Sequence, residues 1–380
     1  MEKTIDALCA QFRTLLTEQI ARAEKMQQGA PSRADGPIKI GLIDGDGIGP
    51  IIMEQAEALL RFLLKDEEAK GLVEFRKVTG LTIERRQALG VSVPEDTLEQ
   101  ILDCDVLLKG PTTTPKGGTL ESANVTLRRK LDLYANVRPV CVPEEKIDWI
   151  FFRENTEGEY ALGSRGVEIP DLLSMDFKVT TLAGTRRIAK AAFDYAKANG
   201  KTSVSIVTKA NIMKKTDGMF SAICHEVAQD YPGIDVQDWY IDIMTANLVN
   251  KDIRSGFQVF VLPNLYGDII TDEAAQIQGG VGTAGSANIG DRYAMFEAIH
   301  GTAPRMLEEG LGDYANPSSI FKAAELLVRH IGFTEKADLL QKAMDICLET
   351  EKKVVVTGDR NGATCRQFAA YVMETLDKLN

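Results

Sequence analysis

The sequence predicts an α/β protein built on a largely parallel sheet, and three features carry that expectation. Short apolar runs alternate with stretches of helical periodicity. The first run passes through a glycine-rich turn directly into a helix, and no segment repeats at a fixed period. That run is Ile38–Ile43, which ends in Asp44-Gly45-Asp46-Gly47-Ile48-Gly49-Pro50 before a helical pattern reaching Leu63. Further strands are expected at Val73–Lys77, Val106–Lys109, Trp149–Arg153, Ser203–Thr208 and Val259–Leu262. Helices are expected at Thr185–Asn199, Met219–Tyr231 and Pro317–Ile331. Ahead of these, Ile5, Leu8, Phe12, Leu15, Leu16 and Ile20 recur at helical spacing. Residues 1–37 therefore read as an amphipathic helix followed by a linker at Gly29–Pro37. Between Gly163 and Ala183 the alternation breaks, with short extended pieces at Arg165–Ile169 and Phe177–Thr181 around Pro170. A small arm that pairs with a second subunit accounts for this stretch.

Composition narrows the function classes. A chain of 380 residues holds two or three units at roughly 150 residues each. Its 44% hydrophobic and 26% charged residues are those of an ordinary globular protein. No apolar run approaches the roughly 18 residues of a membrane span. The net charge of −11 opposes binding to a phosphate backbone, so no nucleic-acid or membrane partner is expected. Cys9, Cys104, Cys141, Cys224, Cys347 and Cys365 form no CxxC pair and read as reduced thiols. Glu2, Asp6, Glu18 and Glu24 make the first helix too acidic for an organellar presequence, so a cytoplasmic location is expected.

Several segments carry chemistry. Glycines 45, 47 and 49 follow a strand, but G-x-G-x-G-Pro departs from the G-x-G-x-x-G fingerprint. A tight turn is expected there, not a Rossmann phosphate cradle. Lys109-Gly110-Pro111-Thr112-Thr113-Thr114-Pro115-Lys116-Gly117-Gly118 is a polar loop after a strand. In the following helix Asn124 and Arg128 share a face, with Arg138 and Arg153 presented by later elements. Arginines near hydroxyl and amide donors suit a ligand with several carboxylates, and equally suit a solvated face with ordinary ion pairs. Asp268 and Asp272, spaced i, i+4, either hold one Mg2+ or Mn2+ through oxygen ligands or cap a helix N-terminus. His300-Gly301-Thr302-Ala303-Pro304 forms a loop able to set backbone N–H groups and an imidazole against a nucleotide.

In order, Asp44–Pro50, Lys109–Pro115, Ser122–Pro139, Arg153–Tyr160, Lys209–Phe220, Asn264–Asp272 and His300–Pro317 resemble the decarboxylating isocitrate and isopropylmalate dehydrogenases, over about residues 38 to 375. The resemblance implies that family's fold, which is not a Rossmann fold: two α/β domains with the active-site cleft between them. Residues 38–133 with 280–380 would form the large cofactor-binding domain. Residues 134–279 would form the small domain with the dimer arm at about 163–183, and 1–37 a helical extension with its linker. It further implies that Arg128, Arg138 and Arg153 bind a tricarboxylate, with Ser122, Asn124, Thr114 and Lys109 completing the pocket. Tyr160 and Lys209 would be catalytic, the first as general acid. Asp242, Asp268 and Asp272 would hold Mg2+ or Mn2+. Asn211, His300, Gly301, Thr302, Ala303, Pro304, Arg305 and Asn316 would bind NAD or NADP. Lys209 and Asp242 would come from the partner, so the unit of activity would be a homodimer with shared sites.

Ser122 and Asn124 replace the apolar residue that an isopropyl group needs, and the Gly-Gly-Pro-Lys-Trp stretch of the isopropylmalate branch is missing. Isocitrate is therefore the expected substrate, with homoisocitrate the nearer alternative and a non-catalytic regulatory subunit an alternative of another class. Two positions depart from the pattern. Glu121 stands where isocitrate enzymes commonly have arginine. Arg305-Met306 replaces both the acidic residue of NAD users and the Lys-Tyr of NADP users. Glu308, Glu309 or Asp313 remains available for a ribose diol, and Val356–Gly362 lacks the tyrosine of the NADP pattern, so the expectation leans to NAD.

Overall fold

The structure, a computed structural model, describes residues 2–26, 33, 35–115, 120–163, 165–280 and 284–379. Among them run twelve strands: β1 (Ile38–Ile43), β2 (Val73–Val78), β3 (Val106–Lys109), β4 (Ala135–Val142), β5 (Ile147–Glu154), β6 (Val167–Ile169), β7 (Leu173–Met175), β8 (Ser203–Thr208), β9 (Asp235–Tyr240), β10 (Val259–Leu262), β11 (Gly285–Ile289) and β12 (Ala294–Ala298). Most of the expected linker, Lys116–Gly118 of the polar loop and Ser164 of the arm lie outside the described residues. The chain divides into two compact units. A first comprises Ser32–Leu131 with Ala275–Asn380, and a second comprises Met1–Pro31 with Asp132–Ala274.

In the first unit the strand order is β2-β1-β3-β12-β11. The first four are mutually parallel, and β11 is antiparallel to β12. Since β1, β3 and β12 are parallel neighbours, the loops that follow them open side by side, where open α/β sheets present their ligand sites. The expected tight turn is there, with Gly45 at φ +74° and Gly47 at φ +62°. A Cβ on Gly45 would lie 2.1 Å from the Pro111 carbonyl oxygen, and one on Gly47 2.1 Å from that of Thr302. Asp46 N donates to the first of these oxygens (2.7 Å) and Ile48 N to the second (3.1 Å). The turn thus spends its amides on the neighbouring loops. The helix Gly49–Leu63 buries Ile52, Met53, Ala56, Leu59, Leu60 and Leu63, a spacing of three and four that matches its period.

In the second unit the order is β4-β5-β10-β8-β9, with β5, β10, β8 and β9 parallel and β4 antiparallel to β5. Strands β8 and β10 are buried throughout; β10 is an unbroken apolar run, and β8 joins Val204, Ile206 and Val207 to small hydroxyl residues. Phe151 stacks on Phe260 with ring centroids 4.3 Å apart. Outside the arm, four strands went unread in the sequence, each for a composition unlike a buried strand. Strand β4 is interrupted by Asn136 and Arg138; the edge strand β9 carries Asp235 and Asp238. Strand β11 is Gly-Ser-Ala-Asn-Ile, and β12 is composed of helix formers such as Ala, Met and Glu.

The arm differs from expectation in its second piece. β6 pairs antiparallel with β7, Val167 opposite Met175, whereas the stretch expected at Phe177–Thr181 makes a single bridge, Val179 with Gly158. Asp171 at φ +60° and the Leu172 N–H to the Ile169 carbonyl (3.0 Å) close the turn at once, so the return strand begins at Leu173. The N-terminal helix spans Glu2–Met26. It buries Leu15 and leaves Ile5, Phe12, Leu16 and Ile20 about half exposed. No described helix is long and apolar enough to cross a membrane. All six cysteines are free thiols, four of them buried. Gly47→Ala adds a backbone collision to left-handed strain and is expected to lose about 2–3 kcal/mol of stability in urea denaturation. Gly200→Ala, at φ +64° with nothing within 4 Å, is expected to lose about 1 kcal/mol.

Candidate active site

In the second unit the site grows from the β4/β5 pairing, which sets Asn136 opposite Arg153. Side chains two residues apart share a face, so Arg138 stands diagonal to Arg153. Arg138 Nε donates to Asn136 Oδ1 (2.9 Å), and its Nη1 reaches Thr271 Oγ1 (2.6 Å) and Asp272 Oδ1 (3.0 Å). Arg153 is level with Leu262 at the end of β10 and meets the helix Asn264–Gln278 that follows. It donates from Nε and Nη2 to Asn264 Oδ1 (3.0 and 2.7 Å) and from Nη1 to Asp268 Oδ1 (2.5 Å). Gly267 permits this crossing, because a Cβ there would lie 2.4 Å from Arg153 Cγ. The Tyr160 hydroxyl donates to the other oxygen of Asp268 (2.8 Å), with its ring 5.4 Å from the Arg153 guanidinium.

Asp268 and Asp272 stand on successive turns of one helix face, beyond its first turn, which contains no acid. Their role is not helix capping. They present hard oxygens of the kind that Mg2+ or Mn2+ takes. Asp242 stands elsewhere in the unit. Parallel register sets Thr208 beside Tyr240, so Lys209 after β8 meets Asp242 after β9, with Nζ 2.5 Å from Oδ1. Among the described residues no three metal-ligating side chains converge within one chain. Asn211 is exposed in the turn after Lys209.

In the first unit Lys109 is completely buried, with its ammonium committed to the Gly110 carbonyl (2.8 Å) and Glu297 Oε2 (3.1 Å). Arg128 Nη2 approaches Glu297 Oε1 (3.2 Å), to which Asn288 Nδ2 also donates (2.9 Å). Burial opposes the Glu297 charge, but Lys109 and then Arg128 overcome it and hold the carboxyl at about 2. Arg128 Nε is buried without a hydrogen-bond partner, as is His300 Nε2. Burial also moves the His300 imidazole below its ordinary range, keeping it neutral. Asn124 Oδ1 accepts from Thr112 Oγ1 (3.0 Å), leaving the NH2 as its donor end, and Thr114 is exposed.

Ser122 precedes the helix Ala123–Lys130. Glu121 beside it is not loose, because it pairs with Arg129 and accepts from Thr126 Oγ1 (2.9 Å). The loop after β12 sets Thr302 against Thr113 (Oγ1 to Oγ1, 3.4 Å) and turns through Ala303 at φ +45° into Pro304. Gly301, Pro304 and Arg305 are exposed. Arg305 Nε donates to Glu309 Oε1 (2.6 Å), and Asn316 Oδ1 caps the next helix by accepting from Ser318 N (2.9 Å).

Sequence reasoning overlooked the groups that hold these side chains in place: Asn136, Asn264 and Thr271 in the second unit, Asp46, Arg86 and Glu297 in the first. Asp46 accepts from Ile83 N (2.8 Å) and Thr113 N (2.7 Å). Arg86, fully buried, donates to the carbonyls of Ser92, Thr113 and Glu121 (2.7, 2.8 and 3.2 Å). An acid or amide in an apolar segment, such as Glu297 in Met-Phe-Glu-Ala, is the one available signal, since it must find a partner once buried.

The comparisons show which family this fold and these clusters belong to. The chain belongs to the isocitrate/isopropylmalate dehydrogenase family, whose profile matches residues 39–372. It is 40% identical over 314 residues to the isocitrate dehydrogenase (NADP) of Rickettsia felis, a match covering 80% of this chain and 62% of that one. Subunit 2 of the mitochondrial isocitrate dehydrogenase (NAD) of Schizosaccharomyces pombe is 35% identical over 318 residues, 82% of this chain and 80% of that one. The crystal structure of isocitrate dehydrogenase from Methylococcus capsulatus superposes with a TM-score of 0.79 at 33% identity, covering 89% of this chain and 99% of that one.

Glu297→Gln leaves Lys109 buried without its counter-ion and is expected to lose about 3–5 kcal/mol in denaturant unfolding, part of it restored by adding Lys109→Met. The Glu297 carboxyl lies below its ordinary 4.5 in the folded chain, so its contribution is full above that pH and fades as pH falls toward about 2. The stability gap between wild type and Glu297→Gln should narrow over that window.

Proposed function

We infer that the chain catalyses oxidative decarboxylation of isocitrate to 2-oxoglutarate and CO2, with NAD(P) as hydride acceptor and Mg2+ or Mn2+ as metal. The arrangement of Arg138, Arg153, Tyr160, Asp268 and Asp272 carries this reading. It offers two guanidiniums for carboxylates, two hard-oxygen ligands one helical turn apart, and a phenol in contact with one of those ligands. The names of the bacterial and fungal relatives agree with it. Asp268 and Asp272 would hold the metal, completed by Asp242 of the partner in a homodimer. The unpartnered His300 Nε2 suits a nucleotide, and the unpartnered Arg128 Nε suits a substrate carboxylate.

When bound, the metal supplies Lewis acidity to the substrate's hydroxyl and carboxylate oxygens, and the nicotinamide accepts the hydride. Arg128, Arg138 and Arg153 orient the three carboxylates, with Ser122 and Asn124 donating to the one that an isopropyl group would replace. Leaving those donors unpaired would cost about 1–3 kcal/mol each, which favours isocitrate over isopropylmalate. The hydroxyl proton passes to solvent as C2 gives up its hydride to the nicotinamide. The bond from C3 to its carboxylate then breaks, and its electron pair forms an enolate. Tyr160 delivers its proton to C3, with Lys209 of the partner tuning it. Glu121, though acidic where relatives of this branch have arginine, is neutralised by Arg129.

NAD is favoured over NADP, because a 2′-phosphate at Arg305 would have to displace Glu309 and then sit beside its charge. With Mn2+ present, isocitrate, homoisocitrate and isopropylmalate crossed with NAD and NADP should yield reduced cofactor from isocitrate and NAD. Silence in all six mixtures from a folded dimer would sink the catalytic reading in favour of a regulatory subunit. Tyr160→Phe should lower kcat by about 10²–10⁴-fold. Glu309→Gln should move the NADP/NAD preference toward NADP by about tenfold, the equivalent of ~1.4 kcal/mol of relieved like-charge repulsion.

A further inference from the structure

The turn leading to Tyr160 is held from the N-terminal helix. Arg22, near the end of the helix Glu2–Met26, donates from Nη2 to the Thr156 carbonyl (3.1 Å) and Thr156 Oγ1 (3.3 Å). Its Nη1 lies 3.6 Å from Glu157 Oε1. Glu157 is buried, and so is Glu154 three residues before it. The Glu154 carboxylate accepts from the backbone N–H groups of Thr156 (2.9 Å) and Glu157 (2.7 Å), bending the chain at the end of β5. Glu157 in turn accepts from Thr181 N (2.8 Å) and Thr181 Oγ1 (2.5 Å), with Gly184 close against it.

Two carboxylates enclosed together need cations. Arg187, from the helix Leu182–Ala198, acts on both, but its guanidinium is bound at two points to Asp132 (2.6 and 2.8 Å). Among the described residues, Arg22 is the cation within ion-pair distance of Glu157. Burial and the Glu154 charge push the Glu157 carboxyl up to about 7, and Arg22 opposes the rise. From Glu157 the contact continues to the reacting groups. Its carbonyl accepts from Asn264 Nδ2 (3.0 Å), Asn264 orients Arg153, and Arg153 shares Asp268 with Tyr160. The helix is seated by more than this contact, with Leu15 buried, Phe12 5.4 Å from Phe177, Gln11 Nε2 donating to the Gly166 carbonyl (3.1 Å) and Glu18 paired with Arg165.

We propose that Arg22 is a positioning residue for the catalytic turn 154–160, which makes the N-terminal helix a support of the active site. The assignment rests on the reading of Tyr160 given above, and one of its readouts does not. The test compares Arg22→Ala with Arg22→Lys and with Glu18→Ala, which breaks an outer ion pair of the same helix. Hydrogen exchange of peptides covering 154–160 reads the turn directly, and steady-state kinetics with isocitrate read its effect. In Arg22→Ala the Glu157 and Gly158 amides should exchange about tenfold faster. Its kcat should fall by about tenfold, with KM little changed.

The pH dependence has a definite sign. Without Arg22 the Glu157 carboxyl rises further, so the acidic limb of the kcat profile should move to higher pH. Arg22→Lys should retain most of the wild-type behaviour and Glu18→Ala all of it. Normal exchange in Arg22→Ala overturns the proposal, as does faster exchange with unchanged kcat and pH profile, or an equal effect from Glu18→Ala. If Arg22→Ala does not fold, Arg22→Gln, which removes the charge and shortens the side chain but keeps it polar, carries the same expectations. If the wild type does not turn over isocitrate, the functional reading fails, and exchange still decides whether Arg22 holds the turn.

Discussion

The register of neighbouring strands, parallel in most pairs and antiparallel at β4/β5, is the constraint on which both charged clusters depend. A parallel strand ends beside the end of its neighbour, so whatever residue follows each strand is delivered to one edge of the sheet. In the second unit that edge receives Arg153 from the end of β5 and Tyr160 beyond it, the helix bearing Asp268 and Asp272 after β10, Lys209 after β8 and Asp242 after β9. In the first it receives the glycine turn, the loop after Lys109 and the His300 loop. Residues more than a hundred positions apart in sequence meet because their strands are adjacent.

Charge balance does the rest. An unpaired ion is costly to enclose, so Arg153, Arg138, Lys109 and Arg128 all stand against acids. Arg153 is matched to Asp268, Arg138 to Asp272, and Lys109 with Arg128 to Glu297. The pairing fixes guanidinium orientation before any ligand arrives, the pre-organisation that carboxylate binding and proton transfer require. Neutral groups finish the alignment: Asn264 and Asn136 grip the two arginines through their Nε atoms, and Gly267 clears the path for Arg153. The Glu154–Glu157 pair follows the same rule, with cations drawn from two separate helices.

Much of this was legible in the residues. The strands β1, β3, β8 and β10 are rich in apolar and β-branched residues, and the sequence placed them at their observed limits. Local spacing also placed Asp268 and Asp272 on one helix face, and the order of the motifs identified the family. Beyond local patterns the reading thinned. Strands β4 and β12 carry a buried arginine or glutamate that looks like surface until its partner is known. Nothing in the local sequence singled out Arg86, which is fully enclosed and holds the Thr113 and Glu121 carbonyls together.

The sequence by itself therefore determined the α/β class, the family, part of the residues of both clusters and the helical nature of the N-terminal segment. These rest on periodicity and motif order, which are local. Only the tertiary structure decided that the glycine turn spends its amides on neighbouring loops, that Lys109 is an enclosed counter-ion to Glu297, and that Arg22 reaches the turn before Tyr160. Each of these is a contact between segments distant in the chain. The identity of a charged residue's partner is fixed by which strands and helices pack together, and no local pattern encodes it.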